Sequence, residues 1–242
     1  MFNLNFMTMK KVNYIYETTN YRMFKFLEGN RRVIPNHVQY FVKELKKNGM
    51  QIPAKVNDMN EITEGQHRFE ACKQLGIPFK FFVEKKPVNR NEELDKLMSI
   101  QKGKQWRYED VMHTQCVKRN SNYIALKSFY DKYKDFSLSS IIYISNNCSG
   151  SDFRNGKFTA NQLDKADETL SFCRSLKHFF PAYNKVGFVT AINKCRNMED
   201  FDFNFFKKKA LKMSDRFYDC THRDAFLDMI LKIYNYKKSR KI

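Results

Sequence analysis

Up to about residue 86 the spacing of apolar residues alternates between two periods. Residues 11–16, KVNYIY, are β-branched and aromatic and predict a first strand. In NHVQYFVKELKKNG, Val38, Phe41, Val42 and Leu45 fall at i, i+3, i+4 and i+7, the spacing of an amphipathic helix. Asn36 is placed to cap the start of this helix and Gly49 to close it. IPAKVN at 52–57 reads as a strand, 58–60 as a turn and EIT at 61–63 as a short second strand. A helix then opens at Gly65, with Phe69, Cys72 and Leu75 on one side, and Gly76 ends it before Pro78. FKFFVE at 79–84 predicts a further strand. The order strand, helix, strand, strand, helix, strand is that of a compact α+β domain.

Past Pro87 the helical period takes over. Helices are predicted at roughly 91–101, 107–119, 121–134, 160–179, 184–197, 202–213 and 222–236, the last with Phe226, Met229, Ile230 and Ile233 on one face. SNNCSGSDFRNGKF at 145–158 is rich in Ser, Asn and Gly and reads as a loop with an Asn-Gly turn at 155–156. There is no internal repeat and no low-complexity block. The expected organisation is an α+β domain at 10–88, a mainly α-helical domain at 90–236 and a basic tail at 237–242.

Composition adds three constraints. With 242 residues and 42% hydrophobic content the chain can bury a real core. Its 23 Phe and 13 Tyr, alongside many Lys and Asn, fit an AT-rich genome and do not by themselves mark a base-stacking surface. The net charge of +18, shared by both halves of the chain, attracts polyanions. DNA is the natural partner; an anionic membrane surface or plain solubility are the other accounts of such charge. The six cysteines, at 72, 116, 148, 173, 195 and 220, form no C-x-x-C pair and have no His at ligand spacing, which fits a reducing cytoplasm and argues against structural zinc. MFNLNFMTMKK lacks the parts of a signal peptide, and no 18-residue apolar run is present, so no membrane span is expected.

The chemistry concentrates at residues 61–70, EITEGQHRFE. A strand gives way to a helix at Glu64-Gly65. The first N–H groups of a helix lack intrahelical partners and the dipole there is positive, so such an end binds phosphate. Gly65 lets a ligand approach the backbone, and His67 and Arg68 bring donors to the same anion. Two basic residues at a helix N-terminus are unfavourable unless an anion or Glu64 lies between them. The competing reading is a turn with His67 and Arg68 as surface donors balanced by Glu64.

EGQHR at 64–68, followed by FEACKQLGIPFKFFV, resembles the D-G-x-H-R signature of the ParB/sulfiredoxin-like fold, and in particular of ParB-like nuclease-domain (DGQHR-type) proteins of phages and mobile elements. FLEGNRRVIPNHVQYFVKELKKNGMQIPAKVN resembles the same fold's opening motif. The two motifs stand in the right order over about 70 residues. The resemblance implies a site for ATP or CTP. Asn30, Arg31, Gly65, Gln66, His67 and Arg68 would bind the nucleotide, with His67 and Arg68 neutralising phosphate. Glu64 stands where the family usually has Asp; it would be a catalytic carboxylate or hold Mg²⁺. Glu28 is a further candidate acid/base, with an exposed turn residue as its other reading, and His67 completes the catalytic set.

The remaining features are plainer. His37 suits a surface or capping role, and His113, His178 and His222 lack partner spacing. THRD at 221–224 reads as a helix start capped by Thr221. FKKKALK carries Lys207, Lys208, Lys209 and Lys212, candidate DNA-backbone contacts on what is otherwise a solvated face. Trp106 reads as core, although GKQWRYED has a place near the nucleotide domain. The helical half shows no clear helix-turn-helix, which chromosome-partitioning ParB proteins have. The expected function is a cytoplasmic, nucleotide-binding, DNA-associated protein, either a Mg-dependent NTPase or nuclease, or a non-enzymatic DNA-binding regulator; a phosphotransferase of the same fold is the third reading, and a homodimer is a further partner expectation. Sulfiredoxin chemistry fits poorly, because residue 66 is Gln and Cys72 is on the buried face of its helix.

Overall fold

The structure, a computed structural model, describes residues 14–85, 89–100, 106–146 and 148–237. They fall into two compact units, the first ending at Trp106 and the second beginning at Arg107.

The first unit is built on a five-stranded mixed sheet. Its strands are β1 (Ile15–Thr18), β2 (Lys25–Phe26), β3 (Ala54–Asn57), β4 (Glu61–Glu64) and β5 (Phe79–Glu84), in the order β1-β5-β3-β4-β2. β1 runs antiparallel to β5 and β3 antiparallel to β4, whereas β3 pairs parallel with β5 and β2 parallel with β4. The predicted first strand sits later than expected, and its positions 11–13 lie outside the described residues.

Side chains alternate across β3. Ala54 and Val56 turn to the core, where α1 (Pro35–Asn48) and α2 (Gln66–Leu75) pack through Val38, Leu45, Phe69, Ala71 and Cys72. Much of the aromatic excess is spent here. Phe24 meets Phe79 and Phe81 edge-on at 5.2 and 5.0 Å, and Phe69 meets Phe79 at 5.0 Å. The Tyr21 hydroxyl donates to the carbonyls of Cys72 and Ile77 at 3.1 and 2.8 Å, serving oxygens at and beyond the end of α2.

α1 does not begin as the sequence suggests. Pro35 occupies the first helical position, where its fixed φ and missing N–H carry no penalty, so Ile34 becomes the N-cap and Asn36 falls inside the helix without a capping role. Gly49 closes the helix at φ 65°, as expected. α3 (Arg90–Ile100), assigned from the sequence to the second domain, groups with the first unit. The reason is polar: Asn57 donates to Glu93 at 2.9 Å and Arg90 donates to Glu61 at 2.9 Å, all four side chains lying at the sheet.

The second unit holds α4 (Tyr108–Val117), α5 (Ser121–Lys132), α6 (Leu138–Asn146), α7 (Gly150–Arg154), α8 (Leu163–Ser175), α9 (Val186–Arg196), α10 (Phe203–Lys212) and α11 (Arg223–Asn235). The chain is therefore α+β with a helical second region. α9 is central: it packs against α6, α8 and α11 and buries residues on nearly every side, from Phe188 to Cys195. The predicted loop at 145–158 contains the end of α6 and the whole of α7, whose Ser149 cap accepts from the Asp152 N–H at 3.0 Å. Asn155-Gly156 ends that helix and joins no hairpin, Gly156 taking φ 76°. His222, not Thr221, caps α11, its Nδ1 accepting from the Ala225 N–H at 3.3 Å.

Candidate functional site

The two sequence motifs meet because β2 runs parallel to β4. Lys25 pairs with Glu61 and Phe26 with Ile62, and the Leu27 N–H donates to the Ile62 carbonyl at 3.3 Å. The chain leaving β2 thus runs beside the end of β4, where α2 begins. Gly29, at φ 88°, turns it. The Asn30 amide then donates to the Thr63 carbonyl at 2.9 Å, while its Oδ1 accepts from the Arg31 N–H at 2.8 Å. Asn30 is buried, and both ends of its side chain are engaged in holding this loop.

α2 starts at Gly65, which adopts φ 98° and ψ 18° and offers no side-chain cap. A Cβ at this position would lie 2.7 Å from the Ala54 Cβ, so the turn passes over β3 too closely for any side chain. The first turn of α2 is left open on its N-terminal side. Asn30, Arg31, Thr63, Glu64, Gly65, Gln66 and His67 enclose a cavity of about 50 Å³ there. That is room for a few waters or one phosphate-sized group.

The side chains divide by task. Arg31 is half-buried at the cavity, with its guanidinium 5.6 Å from the centre of the buried Trp106 ring. Trp106 is core, as expected, and also lies beside the site. His67 is turned to the start of α1: its Nε2 accepts from the Ile34 N–H at 3.0 Å, which makes it the neutral ring with the proton on Nδ1. Its ring meets His37 edge-on, with centroids 4.6 Å apart. His67 therefore pins one motif to the other. Arg68 does not line the cavity. It folds back behind Gly65, donating to the Pro53 carbonyl at 3.4 Å, and its Nε is buried with no hydrogen-bond partner. Burial pulls its guanidinium below the ordinary value, and the Glu64 carboxylate partly offsets this.

The three residues expected to be catalytic have other partners. Glu64 forms an ion pair with its cross-strand neighbour Lys55 at 3.3 Å. Glu28 is exposed and reaches toward Arg90 at 3.9 Å. His67 holds a backbone amide. The cavity at the start of α2 has the donors for a phosphate, whereas the Glu64 carboxylate faces the Lys55 ammonium, and no group of three or more His, Cys, Asp or Glu side chains gathers among the described residues.

No family model matches the chain, and no curated protein matches it. Five solved chains match it in structure. One is a Pnob8-like ParB-N domain, solved in a C2221 form, at a TM-score of 0.43 and 12% identity, covering 93% of this chain and 100% of that one. At that TM-score the likeness carries no argument. The ParB/sulfiredoxin-like reading continues to rest on the two motifs.

The basic run on α10 is divided. Lys207 pairs with Glu168 at 2.9 Å, and Lys209 donates to the Tyr234 carbonyl at 3.0 Å and to that of Tyr236. Lys208 and Lys212, one turn apart, are exposed. No described helix is long and apolar enough to cross a membrane. All six cysteines are free thiols, and burial pushes Cys72 up to about 11, unsuited to attack on a phosphate.

Sequence reasoning missed the cluster that fixes β4 from the other side. Asn57 Nδ2 donates to Glu61 at 2.8 Å and to Glu93 at 2.9 Å, and its Oδ1 accepts from the N–H groups of Met59 and Glu61 at 3.0 and 2.9 Å. Nothing in the linear pattern marks these residues, because their pairing is made only by the fold. Thr63 was also missed; its carbonyl receives Asn30, and its hydroxyl donates to the Lys55 carbonyl at 3.2 Å.

Proposed function

We propose that the first unit is a ParB/sulfiredoxin-like phosphate-binding module whose ligand is a nucleotide, ATP or CTP, in a cytoplasmic protein that associates with DNA. The observation that carries this reading is the convergence of both motifs on the uncapped start of α2, beneath a glycine that no other residue can replace without a clash. The amides of Gln66 and His67 and the Arg31 guanidinium would hold one phosphate. Base and sugar would extend beyond the small cavity. Arg68 would act from behind the turn, through its charge.

The engagement of Glu64, Glu28 and His67 elsewhere favours binding without turnover, a nucleotide-dependent regulator, over the NTPase, nuclease and phosphotransferase readings. Those readings require Glu64 to leave Lys55.

Calorimetric titration of ATP, CTP and GTP into wild type, Arg31→Ala and Lys55→Ala, with and without Mg²⁺, tests the proposal. The expected result is binding of one nucleotide at comparable strength with and without Mg²⁺, weakened about tenfold or more by Arg31→Ala. Turnover that needs Mg²⁺ would replace the regulator reading with the enzymatic one. No binding of any nucleotide would reduce the motif to scaffold.

A further inference from the structure

The second unit carries a cavity of about 460 Å³ between α6, α8 and α9, lined by Tyr143, Ile144, Gln162, Lys165, Asn193, Lys194, Asn197 and Met198. Its chemistry is one-sided. Two lysines and three amides face it, and no acidic side chain is among the described residues that line it. Lys194 is exposed and has no ion-pair partner among the described residues. Lys165 donates to Asn197 Oδ1.

Asn193 is the decisive residue. It is only 8% exposed, on the central helix α9, and its side-chain amide, which has no hydrogen-bond partner among the described residues, lines the cavity. The amide opens into the cavity with no protein group occupying it, so its donor and its acceptor are both available to a ligand. Amides that both donate and accept match the edges of nucleic-acid bases. The half-buried Tyr143 and Met198 side chains add apolar lining against which a base or sugar can rest. The two ammonium groups suit a phosphate ester. The volume falls within the range of about 300–1,000 Å³ usual for small-molecule sites.

We propose that this cavity is a nucleoside-phosphate site, distinct from the one at α2, in which Lys165 and Lys194 hold phosphate and Asn193 reads the edge of a base. The nucleoside phosphate is either a free nucleotide or one link of a single strand.

The test uses the full chain. Binding of labelled oligothymidylate and oligodeoxyadenylate is followed by anisotropy across a salt series, with thymidine and deoxyadenosine monophosphates titrated separately. Lys165→Gln with Lys194→Gln is expected to weaken binding about tenfold and to lower the salt slope for the strands by about 0.7 per lysine. A control pair on α1, Lys46→Gln with Lys47→Gln, is exposed in the first unit and is expected to change neither. Asn193→Leu, checked for an unchanged unfolding midpoint, is expected to keep the salt slope and to lose the preference between the two bases. Monophosphates that bind and compete identify a free nucleotide as ligand; strand binding without them identifies a link of a strand. Equal losses in the pocket and control pairs, unchanged base preference in Asn193→Leu, or no binding of any probe would overturn the proposal. Arg31→Ala leaves this site intact, so its failure and that of the α2 site are read separately.

Discussion

Gly65 and Gly76 bound the same helix, and both take positive φ, but the surroundings differ. At Gly76, φ 66°, a Cβ would meet nothing within 4 Å. At Gly65, φ 98°, it would lie 2.7 Å from the Ala54 Cβ and 3.2 Å from the Ala54 Cα, with the Arg68 guanidinium at 3.1 Å. Gly76→Ala therefore carries only the left-handed backbone term, about 1–2 kcal/mol. Gly65→Ala adds overpacking against β3, for a total of about 2–4 kcal/mol. Urea denaturation of the two variants checks the ranking; equal losses would mean that the turn has room to lift. Any lift also moves the amides of Gln66 and His67, so a folded Gly65→Ala protein is expected to bind nucleotide more weakly than Gly76→Ala.

At the scale of elements, α3 depends on a buried polar joint. Burial opposes ionisation of Glu61, but the Asn57 amide and the Arg90 guanidinium outweigh it and hold the carboxyl below its ordinary value of 4.5. A depressed folded-state value stabilises the protein above the unfolded value and is lost as pH falls through the folded one. Glu61→Gln is thus expected to be less stable than wild type at neutral pH, with the gap closing as pH drops below about 4.5. Urea midpoints across a pH series read this directly; a constant gap would place the contribution of Glu61 outside its charge. Asn57→Leu leaves two buried carboxylates without their shared donor and is expected to lose about 3 kcal/mol. This joint also explains what the chain did and did not disclose. α1, α2, β3, β4 and β5 were legible because each keeps one period and ends on a glycine, proline or turn. α3 was legible as a helix but not as part of the first unit, since Arg90 and Glu93 look like solvent-facing charges until Asn57 and Glu61 are beside them. α6 was missed because Leu138, Ser140, Ile141, Ile142, Ile144 and Ser145 are all buried, which erases the amphipathic period. At the site, the meeting of the two motifs was legible from their order. The direction of Arg68 was not, because it follows from the Pro53 carbonyl and the close passage of Gly65 over Ala54.

For the whole molecule the question is what +18 does. A field of that sign draws duplex DNA from solution, but only lysines free to release counterions enter the salt dependence. Within the run on α10 the structure separates the two kinds. Lys207 and Lys209 are tied to Glu168 and to the carbonyls of Tyr234 and Tyr236, where they join α10 to α8 and α11. Lys208 and Lys212 stand exposed on one side of the helix. Lys208→Gln with Lys212→Gln is expected to leave the unfolding midpoint in place and to lower the slope of log affinity for duplex DNA against log salt by about 0.9 per lysine. Lys207→Gln with Lys209→Gln is expected to do the reverse, lowering the midpoint through lost contacts while keeping the slope, provided the comparison is made well below the melting range. Anisotropy titrations of a labelled duplex at several salt concentrations, paired with thermal unfolding, give both quantities for each variant. If the two pairs change the slope equally, the intramolecular contacts of Lys207 and Lys209 yield to DNA and the whole run acts as one charged face. If neither changes it, duplex binding lies elsewhere on the molecule and α10 serves only the packing of its own unit.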